Sequence, residues 1–176
     1  MEIETADLLT KIGQTQTQLG DYGSSLSNLE KALSIKQKKG LKSDVAYIHT
    51  LIGDSLAGWG NSEEAKASYD EAQSVYRQLG DQVGLATSLY GLGRMQYLIG
   101  ELDNALGNFR EALVIFREMR DQKLTSETLL DIGQLHYDTA EYQEGSKEVG
   151  EALRIMRSIS DDDGTARALN LLGCIY

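Results

Sequence analysis

An aliphatic residue followed by glycine recurs at a fixed interval of forty: Ile12-Gly13, Ile52-Gly53, Leu92-Gly93, Ile132-Gly133 and Leu172-Gly173. The interval holds without insertion or deletion, and self-similarity at such a period is the mark of a repeat architecture. Other series keep the same register. Gly20, Gly60 and Gly100 are followed by Ala140. Ala32, Ala72, Ala112 and Ala152 form a second set, and Ser25, Ala65, Ala105 and Gly145 a third, all small. Leu29, Tyr69, Phe109 and Val149 form a bulky set. The chain therefore divides as one array into units 1–40, 41–80, 81–120 and 121–160, with a partial unit or capping helix at 161–176.

Each unit reads as two helices. Ala65, Tyr69, Ala72, Val75, Tyr76 and Leu79 are spaced by three and four, which makes one apolar stripe at helical period. Val45, Ile48, Ile52, Leu56 and Trp59 repeat the pattern in the preceding segment. Gly20-Asp21, Gly60-Asn61, Gly80-Asp81 and Gly100-Glu101 punctuate the segments. Glycine accepts the left-handed backbone that ends one helix, and Asp or Asn caps the next. The reading predicts about nine helices, near 4–19, 22–39, 42–59, 62–79, 82–99, 102–119, 122–139, 142–159 and 162–176. Their short connections force antiparallel neighbours. The small residues are expected where helices come closest, and Tyr69 or Phe109 is expected to fill the gap between units.

An aliphatic-Gly pair, a small residue twelve on, a bulky residue four further and Ala three further resemble the tetratricopeptide repeat. In one unit the pattern reads Leu92-Gly93, Ala105, Phe109 and Ala112. The resemblance covers essentially the whole chain. It departs from the common form in its forty-residue unit, in the absence of any proline, and in Leu9, His49, Leu89, Leu129 and Leu169 at the usual tryptophan position. Units this long are similar to those of kinesin light chains, Pins-type G-protein regulators and bacterial regulators that join an array to an effector. HEAT-type repeats share the period but lack this glycine and alanine register. The resemblance implies an all-α fold, a right-handed α-solenoid of antiparallel hairpins wound into a superhelix. It also implies that the first helices line a concave groove that holds a peptide or protein segment.

Carried over position by position, the groove would be lined by Tyr47, Thr50 and Asp54, by Tyr90, Arg94 and Tyr97, and by Glu127, Gln134, Tyr137 and Asp138. Asp7, Thr10, Gln14 and Thr17 would belong to it in the first unit, and Arg167, Asn170 and Cys174 in the last. Tyrosine gives stiff contact area with one hydroxyl, which suits binding surfaces. Arg94 could fork to a partner carboxylate, and Asp54, Glu127 and Asp138 would favour basic groups. The same tyrosines could instead pack between neighbouring first helices.

The remaining chemistry is sparse. Net charge is −10, which disfavours nucleic acid and anionic membranes as partners. Lys31, Lys36, Lys38, Lys39 and Lys42 form a local exception and read as a solvated helix end. His49 and His136 have no nucleophile beside them by motif, and with Cys174 they make no zinc set, so neither catalysis, metal nor cofactor is expected. No segment is long and apolar enough for a membrane span, and the acidic Met1-Glu2-Ile3-Glu4 lacks the features of a secretory signal, which points to the cytoplasm. The function expected is a protein-binding scaffold or adapter. The alternative is the sensor arm of a larger signalling or effector protein of which this chain is a part. Weak end-to-end self-association is a further expectation, since the ends of a repeat array expose apolar helix faces.

Overall fold

The computed structural model describes residues 1–176. Nine helices follow one another with no strand: α1 (Glu2–Gln18), α2 (Tyr22–Lys38), α3 (Lys42–Trp59), α4 (Ser62–Leu79), α5 (Gln82–Leu98), α6 (Leu102–Glu118), α7 (Gln122–Asp138), α8 (Tyr142–Ser158) and α9 (Asp162–Ile175). Each begins and ends within two residues of its expected bounds.

The turns explain why. A residue with positive φ stands every twenty residues. It is glycine at 20, 40, 60, 80 and 100, and Arg120, Ala140 and Ser160 thereafter. At each turn the amide one residue further on bonds back across the helix end, as Asp21 N to Gln16 O at 2.9 Å and Asp121 N to Phe116 O at 3.0 Å. These bonds satisfy carbonyls that the helix end leaves orphaned. The next residue can then cap the following helix. Asp81 Oδ1 accepts from Gly84 N at 2.9 Å, Asp121 from Leu124 N at 3.0 Å and Asp161 from Gly164 N at 2.9 Å.

The chain forms two compact units, Met1–Met95 and Gln96–Tyr176, with the division inside α5. In the first, α1 packs on α2, α2 on α3 and α3 on α4, and the first helices α1 and α3 also touch. In the second, α6 packs on α7, α7 on α8 and α8 on α9, and α7 touches α9.

Three of the forty-residue glycines, Gly13, Gly53 and Gly133, sit where the bulky series presses in. A Cβ on Gly13 would come within 2.7 Å of Leu29, one on Gly53 within 2.8 Å of Tyr69, and one on Gly133 within 2.3 Å of Val149. Contacts that short force a shift, so the sequence period is a packing period. The Tyr69 ring also lies close to Gly91 of α5, so it does fill the space between successive repeats of the first unit.

Candidate functional site

Successive first helices leave hollows between them. One, of 360 Å³, lies between α1 and α3, with Asp7, Gln14, Asp44 and Tyr47 in its walls and Lys36 of α2 beneath. A second, of 310 Å³, lies between α3 and α5, with Tyr47, Thr50 and Thr87 in its walls and Tyr76 of α4 beneath. A third, of 390 Å³, belongs to the second unit and lies between α7 and α9, where Leu130, Gln134 and Tyr137 face Arg167, Asn170 and Cys174. These sizes fall in the range of ligand pockets. Residues at i, i+3 and i+7 on each first helix share the face that lines them.

In the first unit the expected residues make two connected groups. Tyr47 is half exposed, and its hydroxyl donates to Gln14 Oε1 at 3.4 Å. Asp54 accepts a 2.6 Å hydrogen bond from the Tyr69 hydroxyl. Burial pushes the Asp54 carboxyl up, while the Tyr69 hydrogen bond and the Arg94 charge oppose this, and the net shift is upward. The Tyr69 phenol is driven well above its ordinary range by burial and by the Asp54 carboxylate. Arg94 is exposed and holds its guanidinium 5.9 Å from the centre of the Tyr90 ring, within cation–π reach. Thr50 lies deep in the wall of the second hollow. It is only 3% exposed, and its hydroxyl donates to Ala46 O at 3.2 Å. The Tyr76 phenol beside it is raised to about 12, chiefly by burial, with a hydrogen bond to Thr50 opposing.

In the second unit Tyr97 donates to Asp138, and Gln134 Nε2 donates to the other oxygen of Asp138 at 3.0 Å. The Tyr97 phenol is raised to about 12 by burial and then by Asp138. Tyr137 tilts against Tyr142 at 5.9 Å between ring centres. Glu127 is half-buried, and burial raises its carboxyl against the opposing charges of Lys123 and Arg167.

Two sequence expectations are corrected. Lys36 is not part of a solvated helix end. It is 3% exposed, and its Nζ donates to Asp7 Oδ1 at 2.5 Å and to Asp44 Oδ2 at 2.6 Å. Burial lowers the ammonium pKa, the two carboxylates outweigh it, and the net shift is upward. The register carried the signal, because the matched positions hold Tyr76, Phe116 and Met156. Thr17 lines none of these hollows, and its hydroxyl is engaged elsewhere. Its hydroxyl lies 2.8 Å from Ser25 Oγ and 2.6 Å from Ser55 Oγ, in a closed hydroxyl cluster. Of the histidines, His49 Nδ1 stands 3.1 Å from Glu71 and the buried His136 Nδ1 stands 2.7 Å from Glu141. No three His, Cys, Asp or Glu side chains converge closely enough to hold a metal ion.

Comparison with known proteins fits this geometry. No curated protein matches the chain. Among solved structures, aspartyl phosphate phosphatase F from Bacillus subtilis superposes with a TM-score of 0.92 at 16% identity, over 97% of this chain and 45% of its own. A Rap protein complexed with competence and sporulation factor gives 0.91 at 21% identity, over 99% and 52%. A signal transduction ATPase with numerous domains from Pyrococcus horikoshii, which carries a tetratricopeptide repeat sensor, gives 0.80 at 16%, over 100% and 28%. The chain thus spans about half the length of the first two. At these identities the likeness is one of fold, an all-α array of the α-solenoid class. A family model of anaphase-promoting complex subunit 5 matches residues 125–174. Two tetratricopeptide repeat models match residues 6–39 and 44–118, together more than half of the sequence. The chain belongs to the tetratricopeptide repeat family.

Proposed function

We propose that this chain is a binding scaffold whose first helices hold a segment of a partner protein or a peptide. The observation that carries the reading is that each unit has hollows between its first helices, lined by half-exposed tyrosines and by charges of both signs. Rigid aromatic anchors with a few placed polar groups suit recognition of an extended or helical segment. The Rap relative is a protein complexed with a competence and sporulation factor, which supports the same reading. The forty-residue register runs from one unit into the other, and we read residues 1–176 as one array in function. The site comprises Tyr47, Thr50 and Asp54, then Tyr90, Arg94 and Tyr97, then Glu127, Gln134, Tyr137 and Asp138.

The chain acts without catalysis in this reading, although one match is named a phosphatase. Both histidines are already engaged by glutamates, and neither has a nucleophile to serve. The lone, exposed Cys174 suits a reducing compartment such as the cytoplasm. A second reading, the sensor arm of a larger regulator, is favoured by one observation: the chain matches only part of each of these three structures, one of which carries a repeat sensor.

The test is affinity capture from source-cell extract with the wild-type chain and a folded Tyr90→Ala/Arg94→Ala/Tyr97→Ala variant. The captured segment is then titrated calorimetrically against both. The expected result is a partner whose affinity falls by about tenfold or more in the variant. Equal affinities would dismiss these residues as the binding surface.

A further inference from the structure

Lys36 breaks the rule its own register sets. The matched residues Tyr76, Phe116 and Met156 are all buried, so the fold has an apolar solution at this place. Burying an ammonium carries a desolvation cost that an apolar residue at this place does not. Departures from local rules of this sort concentrate at functional sites.

The geometry says what the lysine does. Its Nζ is shared by Asp7 of α1 and Asp44 of α3, each giving one oxygen. The lysine side chain is 4% exposed, while the aspartates are 54% and 46% exposed. Beneath the hollow the ammonium of Lys36 is therefore sealed off and the carboxylates face outward, each with an outer oxygen, while the exposed Lys11 balances the charge of the lining. Tyr47 offers a half-exposed ring on the same wall, and Gln14 a side-chain carbonyl. Lys11 stands in the lining and would have to swing aside.

We propose that the hollow between α1 and α3 is a subsite for a cationic side chain of the partner segment, an arginine guanidinium or lysine ammonium. Lys36 acts as the positioning residue that holds two repelling carboxylates side by side. A guanidinium forks to carboxylate oxygens and stacks on a phenol face, which is the chemistry present here. The proposal rests on the partner-holding reading above and narrows it to a segment with a basic residue at this place.

The probe is N-acetylarginine amide, titrated at low ionic strength into the full chain and followed by amide chemical shifts. N-acetylcitrulline amide serves as the neutral control. Saturable shifts centred on Asp7, Gln14, Asp44 and Tyr47 are expected, with binding about tenfold weaker for the citrulline compound. Lys36→Met, which installs the residue of position 156, should keep the fold and lose the response. A purely structural lysine would leave the response intact in the folded variant. No saturable shift, an equal response to citrulline, or a Lys36→Met chain that binds as wild type overturns the proposal. If Lys36→Met does not fold, Asp7→Asn/Lys36→Met/Asp44→Asn leaves no charge buried, and a response in that variant overturns it equally. Because the probe is not the partner, a failed titration beside successful partner capture removes only this subsite. The reverse result would leave a cation-binding hollow and remove the partner segment as its occupant along with the scaffold reading.

Discussion

Near the end of its second helix each repeat buries one large side chain. It is Lys36 in α2, but Phe116 in α6 and Met156 in α8. The same contrast recurs nearby. The small position holds Ser25, inside a hydroxyl cluster with Thr17 and Ser55, where the second unit has Ala105 and Gly145. The bulky position holds Tyr69 with its hydroxyl on Asp54, where the second unit has Phe109 and Val149. The turns contrast the other way. Glycine takes every left-handed position through residue 100, but Arg120, Ala140 and Ser160 take them afterwards. Both units bury polar groups, among them Gln96, Thr125, Ser126, Thr128 and His136 in the second, but the buried ammonium is Lys36 in the first, and the left-handed turns that carry side chains are all in the second. Lys36 stands in the lining of a hollow, whereas Arg120, Ala140 and Ser160 line none of the three.

The sharpest way to break that comparison is to move the lysine. The positions that match Asp7 and Asp44 for the next repeat but one are Thr87 and Leu124, so Phe116→Lys should bury an unpaired ammonium. A loss of at least about 3–5 kcal/mol in urea unfolding is expected, while Lys36→Met, which leaves two half-exposed aspartates without their shared ammonium, should cost less. A tolerated Phe116→Lys would mean that the lysine position is open and that the pairing in the first unit is incidental.

A smaller effect tests the second polar pair. Tyr69→Phe installs the ring of position 109 and leaves Asp54 without its donor. The expected loss is about 1–3 kcal/mol, the cost of an unsatisfied buried carboxylate. An unchanged denaturation midpoint would show that water replaces the phenol freely.

The outcomes above also mark what the sequence makes legible. Helix number, helix ends and the glycine-to-bulky contacts 13 to 29, 53 to 69 and 133 to 149 follow from period alone, because every repeat must satisfy the same packing. Polar burial is different. Lys36 sits among Lys31, Lys38, Lys39 and Lys42, and local composition there reads as a wet helix end. Only its partners on α1 and α3, far away in sequence, reveal the burial. Thr50 and Thr17 fall on the groove face by period, yet their hydroxyls turn to Ala46 O and to Ser25 and Ser55. Nor do Arg120, Ala140 and Ser160 announce a left-handed backbone as residue types. The twenty-residue spacing of the glycines before them is the only sign.

The turns give the next effect in size. Gly60→Ala places a side chain at φ 90° and should cost about 1–2 kcal/mol. Arg120→Gly, at φ 58°, relieves strain of similar size but adds unfolded-state freedom worth about 0.4–1 kcal/mol, so its net gain should be smaller. Thermal melts of the two variants check the asymmetry. If Arg120→Gly destabilised the chain, the arginine side chain would be supplying contacts that outweigh its backbone.

The smallest effects lie in pH. Burial raises the carboxyls of Asp54 in the first unit and Glu127 in the second above their ordinary 3.8 and 4.5. A raised carboxyl binds protons more tightly in the folded state, so its contribution to stability is greatest at low pH and falls as pH rises through the window above those values. His49 is shifted the other way, lowered from 6.5 by burial with the Glu71 charge opposing. Its unfolded form binds protons more tightly, so stability is lost as pH falls below 6.5. Denaturation midpoints measured from about pH 7 down to about pH 4 should therefore dip first and then recover in part. His49→Leu, which installs the residue of positions 89 and 129, should remove the dip, and Asp54→Asn should shrink the recovery while leaving the Glu127 share. A recovery untouched by Asp54→Asn would place the titrating carboxyl in the second unit alone and leave His49 as the pH-sensitive group of the first.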